Sequence, residues 1–178
     1  MATTSQATTE GRGRSLVAAT VSTSPASLGV DLALVAVRLV LAWIFLYYGG
    51  AKLFGWFNGA GIDGTTEFFA NVAHLHPGGF FAVLGGLIEF GGGIALLLGV
   101  GSRLVGLALV GDMAMAMITV TWANGIHNVT GRAGYEINLA LAALALVVVV
   151  LGAGRFSVDA FAERLVAQRL GALNPPSA

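Results

Sequence analysis

Five ionisable residues stand where such residues are rare. Arg38 interrupts the apolar run 32–51, Glu89 the run 78–100 and Asp112 the run 104–122, while Lys52 and Glu136 sit at the edges of such runs. An ionisable side chain within the hydrocarbon of a bilayer costs roughly 2.5–3.5 kcal/mol on insertion scales, so each needs a partner or a purpose. The chemistry open to such a set is narrow. A carboxyl group near the membrane midplane can carry a proton, and a cation can hold a carbonyl oxygen. Both are what a quinone-like molecule needs once an apolar slot receives its ring.

Depth and spacing place these residues together. Glu89 lies about 16 Å from Gly78, and Asp112 about 14 Å from Arg103 at the opposite face, so both fall near the midplane. Arg38 lies roughly 10 Å past Asp31. Arg38, Ala42, Phe45, Gly49 and Lys52 recur every three or four residues, which puts both cations on one helical stripe. Gly85, Glu89, Gly92 and Gly99 form a second stripe, whose small residues allow close helix approach and turn Glu89 toward a neighbour. Ala108, Asp112, Ala116 and Thr119 form a third, and Glu136 and Ala140 begin a fourth. The expectation is a polar seam through a bundle, with Arg38 meeting Glu89 or Asp112 and Lys52 meeting Glu136 near the outer end. Phe45, Tyr47 and Tyr48 lie beside that end and supply aromatic surface. Two readings of the seam stand. It locks helix register, as buried charges often do. Alternatively it binds a ligand or carries protons, with Lys52 and Glu136 as polar contacts and Glu89 as proton carrier.

The elements that must position these residues are membrane helices. Of 178 residues, 56% are hydrophobic and only 10% charged, against about 25% charged in soluble domains. A chain this short must expose much of its surface, and lipid is the solvent that tolerates such a surface. A spanning helix needs about 20 mostly apolar residues, and the runs 32–51, 78–100, 104–122 and 137–154 each come close to or exceed that. In lipid the backbone must satisfy itself, so these runs are helices. The predicted fold is an all-α integral membrane protein, a four-helix transmembrane bundle with a C-terminal amphipathic helix. The domain plan is a disordered Ser/Thr-rich tail over 1–28, a membrane domain over 29–162 and a terminal segment over 163–178.

The connections carry their own signals. The longest, 55–77, contains a stretch at 65–75 that reads as a short helix lying on the membrane, with Phe68, Phe69 and Val72 toward lipid. Phe156, Val158, Phe161, Leu165 and Val166 recur at helical spacing among Arg155, Arg164 and Arg169, which predicts an interfacial helix. With alternating spans, Arg12, Arg14, Arg103, Arg155, Arg164 and Arg169 share one side, and Lys52 and Arg132 the other. The positive-inside rule places the larger group, and both termini, in the cytoplasm.

Several chemistries fall away. The chain has no cysteine, so thiolate catalysis and iron–sulfur ligation are out. No histidine stands within a span, which removes paired-histidine haem ligation inside the bundle. Net charge is zero, which gives no field for nucleic acid. His74 and His76 are two apart, poor spacing for one helical face. An external metal site with Glu67 and His127 is therefore a weaker reading than ordinary loop histidines, and no metal is assigned. Met113 and Met117 share a face and read as packing. The glycine-rich stretch 85–93 lacks the Lys-Ser/Thr signature of a phosphate loop.

Four motifs, in order, resemble those of the DoxX family of four-helix bacterial membrane proteins. They are Arg38 followed by Gly49-Gly50-Ala51-Lys52-Leu53; Gly86-Leu87-Ile88-Glu89-Phe90-Gly91-Gly92-Gly93 with Gly99 and Arg103; Gly134-Tyr135-Glu136-Ile137-Asn138-Leu139; and Gly154-Arg155-Phe156-Ser157-Val158-Asp159. The resemblance covers about residues 31–162. Arg38, Lys52, Glu89 and Glu136 match its polar positions, whereas the N-terminal tail and Asp112 lie outside the pattern. It implies a bacterial plasma-membrane protein akin to the membrane subunits of thiosulfate:quinone oxidoreductase, or to members tied to oxidative-stress and thiol defence. Two functions follow as expectations. One is a redox membrane subunit that interacts with quinone and serves a peripheral oxidoreductase, with no covalently bound cofactor. The alternative is a non-catalytic anchor or assembly scaffold that docks its partner on the helix at 155–170. A small transporter is a third; four helices leave little room for inverted repeats unless the chain forms a homo-oligomer.

Overall fold

In a computed structural model of the chain, residues 28–127 and 133–173 are described, with side chains up to Gln168. Arg12, Arg14, Arg132 and nearly all of the 1–28 tail lie outside the described residues, as does the side chain of Arg169. Leu28, the last residue assigned to the tail, already begins the first helix.

Among the described residues six α-helices carry the fold: α1 Leu28–Phe54, α2 Gly61–Asn71, α3 Gly78–Leu98, α4 Ser102–Ala116, α5 Glu136–Leu151 and α6 Val158–Leu173. No strand occurs among the described residues. Helix α4 continues as a π-helical turn over Met117–Thr121 and a 3-10 turn over Trp122–Asn124. Helices α1, α3 and the extended α4 are each long and apolar enough to cross a membrane. The fourth run is shorter than its sequence suggests. Helix α5 has 16 residues, about 24 Å, and ends where Gly152 and Gly154 both take positive φ and turn the chain back. That is just below the usual lower bound of about 17 residues for a span.

Helix α1 packs chiefly on α3, and α4 on α5, around a core of Leu41, Phe45, Leu96, Leu109, Met113, Leu141 and Val148. The outer surface is strongly apolar: Trp43, Leu104, Ile118 and Val150 all stand exposed. Such a surface marks a bundle solvated by lipid.

The helix ends are tied at one face of the bundle. Arg155 forms an ion pair with the buried Asp31 and donates its backbone N–H to the same carboxylate at 3.0 Å. Asp159 accepts from the backbone N–H groups of Gly101 and Ser102 at 3.0 and 3.3 Å, which caps the positive N-terminal end of α4 from a distant segment. Ser157 caps α6 by accepting from the Ala160 N–H. The start of α1, the α3–α4 link and the α5–α6 link therefore meet at one end. The connection 55–77 and residues 122–127 and 133–136 lie at the other.

Candidate functional site

The closest helix crossing builds the site. A side chain at Gly49 would overlap the backbone of Phe90, and one at Gly93 would lie 2.8 Å from the Leu46 side chain. Glycine at both places lets α1 and α3 run backbone to backbone. Lys52 follows Gly49 by one turn, and Glu89 precedes Gly93 by one turn on the antiparallel neighbour. Lys52 Nζ consequently meets Glu89 Oε1 at 2.7 Å. Glu89 is 2% exposed and points into the bundle, as its stripe predicts. Its cation is Lys52, however, and not Arg38.

Asp112 on α4 completes the cluster. Its carboxyl group lies close enough to that of Glu89 for the two to interact electrostatically. Glu89 Oε2 and Asp112 Oδ2 are both buried and receive no donor from the rest of the protein. Two carboxylates beside one ammonium would leave a net negative charge in a low-dielectric interior, a costly state. One proton held between the carboxyl groups makes the cluster neutral and supplies the missing donor.

The cluster borders a cavity of about 330 Å³ lined by Lys52, Asp112, Thr65, Phe68, Phe69 and Thr121, among others. Its lid is α2. Thr65, buried there, donates to the Lys52 carbonyl oxygen at 3.2 Å and pins the lid to the end of α1. Phe69 lines the cavity where the sequence pattern placed it toward lipid; Val72 does face outward. The reason is that α2 packs on α3, so one side of its aromatic pair is drawn inward. On the far wall, the π turn widens the helix: the Trp122 N–H reaches back to Met117 O. That extra residue lets Val120 and Thr121 both line the cavity below Ala116. Thr121 is 7% exposed, and its hydroxyl has no partner.

The other two expected site residues lie elsewhere. Arg38, 4% exposed, donates to four backbone carbonyls: Leu96 at 2.9 Å, Ala153 at 2.8 Å, Phe156 at 3.0 Å and Leu97 at 3.3 Å. It satisfies the orphan carbonyls at the negative end of α3, an alternative to a carboxylate that side-chain patterning does not display. Glu136 is exposed at the start of α5 and makes no ion pair with Lys52. The expected seam therefore shortens to Lys52, Glu89 and Asp112. Of the aromatic residues expected beside it, Phe45 is fully buried in the core and Tyr47 lines a separate pocket with Trp43, Trp56 and Phe90. Thr65 and Thr121 are additions that no spacing rule singled out, and Phe68, expected toward lipid, lines the cavity as well.

A family model for DoxX matches residues 33–122. No curated protein and no solved structure matches the chain. The match runs from the first turns of α1 to Trp122 and includes Arg38, the glycine crossing and all three members of the buried cluster; the 134–139 and 154–159 motifs lie beyond it. With half of its length so matched and its helices apolar enough to cross a bilayer, the chain is a multi-pass membrane protein that belongs to the DoxX family.

Proposed function

We propose that the cavity beside Lys52 and Asp112 binds a lipid-soluble, carbonyl-bearing ring molecule, a quinone by preference, and that the Glu89–Asp112 pair exchanges a proton with it. The observation that carries this reading is the junction of the buried Lys52–Glu89–Asp112 cluster with an aromatic-walled cavity of about 330 Å³. That volume falls at the small end of ordinary ligand sites. Lys52 Nζ and the Thr121 hydroxyl are the donors for carbonyl oxygens, and Phe68 and Phe69 offer ring surface. The electrons come from the cofactor of a peripheral oxidoreductase, since the chain carries no cysteine and no histidine within its spans. In this role the protein is a quinone-interacting subunit of a respiratory or thiol-redox system in a bacterial plasma membrane, with both termini cytoplasmic by the positive-inside rule.

A photoreactive benzoquinone tests the site. Saturable labelling of cavity residues is expected, reduced in Lys52→Met and Thr121→Val protein that still folds. Labelling that is absent, or unchanged in both variants, removes this reading. The exposed apolar side chains Phe156, Phe161, Leu165 and Val166 would then favour an anchor or scaffold that docks its partner on α6.

A further inference from the structure

A second cavity, of about 220 Å³, opens between α3 and α4. Its walls are Phe81, Leu84 and Ile88 on one side and Ala108 and Gly111 on the other. It shares Phe69, Asp112 and Met115 with the first cavity, so these three residues form a common partition. Asp112 is the one charged residue in its lining.

The two spaces differ in chemistry and in access. The first has Lys52, Thr65 and the unpartnered Thr121 hydroxyl in its walls. The second is apolar apart from Asp112, and it opens at Leu84, Ala108 and Gly111, all exposed. Leu104 and Leu107 stand exposed on the same helix, so the mouth lies within the surface that lipid covers. The glycines show that this gap belongs to the fold. At Gly49 and Gly93 an added Cβ would collide with the facing helix, whereas at Gly111 it would have nothing within 4 Å. Helices α3 and α4 thus approach at Gly92, where an added Cβ would lie 3.3 Å from Leu109, and leave room beside Gly111. Alone, the groove is smaller than the roughly 300 Å³ of ordinary ligand sites. It fits an extension of the neighbouring site.

We propose that the ligand is a head-and-tail amphiphile: its ring occupies the chamber beside Lys52, Asp112 and Thr121, and its single apolar tail lies in the α3–α4 groove, past the Phe69–Met115 partition. This rests on the ring-binding reading above and adds the tail, the lateral route from the bilayer and the residues that select for it. A tail in the groove also explains how a molecule dissolved in lipid reaches an ion cluster that is closed toward α1.

The test uses the full-length protein in lipid nanodiscs and two probes with the same benzoquinone ring. One has no tail; the other carries a decyl tail ending in a diazirine. Wild-type protein is expected to bind both, and the diazirine is expected to label Leu84, Ile88 or Ala108. Gly111→Leu fills the groove without a steric neighbour to displace. It should weaken the tailed probe by about tenfold or more, the equivalent of about 1.4 kcal/mol, and leave the tailless probe unchanged. Gly91→Leu, also at a glycine with open space around it, is the control and should change neither. Equal affinity of Gly111→Leu for the tailed probe, or diazirine labels scattered over the lipid-facing surface, overturns the tail groove while ring binding stands; the groove then holds ordinary lipid chains. Saturable binding of neither probe overturns both readings together.

Discussion

Lys52 and Glu89 meet at 2.7 Å beside the closest approach of α1 and α3, and the carboxyl oxygen that Lys52 leaves free lies buried beside Asp112. A lysine at the edge of a span is ordinarily a snorkelling cation reaching for headgroups. Here it bends inward and holds a carboxylate. The pairing makes three statements about sequence testable: which cation serves Glu89, what the glycines are for, and why Arg38 is buried.

The ion pair is expected to behave as a unit. Lys52→Met leaves two carboxyl groups without a cation, and breaking a buried pair this way costs roughly 3–5 kcal/mol. Lys52→Met combined with Glu89→Gln should recover much of that loss, since no unpaired charge then remains on Glu89. Thermal unfolding in mild detergent measures both. Additive losses in the double variant would show that the two residues do not depend on each other.

Glycine substitutions should sort by what faces them. Gly93→Leu drives a side chain into Leu46 and the Ala42 carbonyl oxygen and is expected to abolish accumulation of folded protein. Gly91→Leu meets open space and should accumulate like wild type. Similar yields for the two, read by size-exclusion of the detergent-solubilised protein, would contradict the close α1–α3 crossing.

Arg38→Leu removes a donor shared by four carbonyls. Hydrogen bonds to charged groups are worth about 1.5–3 kcal/mol each when buried, so the loss should be large, and Arg38→Lys should restore only part of it because an ammonium lacks the guanidinium fork. The chain contains no cysteine, so Ser157→Cys gives a unique reporter. Its thiol should react faster in the Arg38→Leu background, where the 153–157 segment has lost its anchor. Equal reactivity in both backgrounds would mean that Arg38 does not hold that segment.

Orientation has its own readout. Glu67→Cys and His127→Cys, both exposed at the end formed by the longer connections, should label in intact cells with an impermeant thiol reagent, and Arg164→Cys should label only after lysis. The reverse pattern would turn the molecule over and place its basic face outside, against the positive-inside bias.

Much of this was legible in the residues. Glu89 and Asp112 declared themselves by depth, and the stripe of small residues around Glu89 correctly turned it inward. The crossing partner did not follow from the same signals. Stripes on separate helices have no register with one another until the contact glycines fix it, and Gly49 with Gly93 sets Lys52 against Glu89. The partners of Arg38 are hidden from the sequence, because backbone carbonyls at a helix end accept hydrogen bonds without leaving any mark in it. The cavity depends on Phe69 turning under α2 and on a π turn after Ala116, and both are products of packing. The fourth apolar run was visible, yet its helix stops at Leu151 because positive-φ glycines at 152 and 154 end it early.

The Arg38 anchor also imposes an order on biosynthesis. Translation delivers Arg38 to the membrane with α1, long before any of its four acceptors exists: Leu96 and Leu97 emerge with the end of α3, and Ala153 and Phe156 only after α5. Asp31 waits equally long for Arg155. Helix α1 thus carries charges whose full set of partners is complete only once the segment after α5 arrives. A nascent chain halted before residue 153 therefore holds Arg38 without its Ala153 and Phe156 acceptors and Asp31 without its cation.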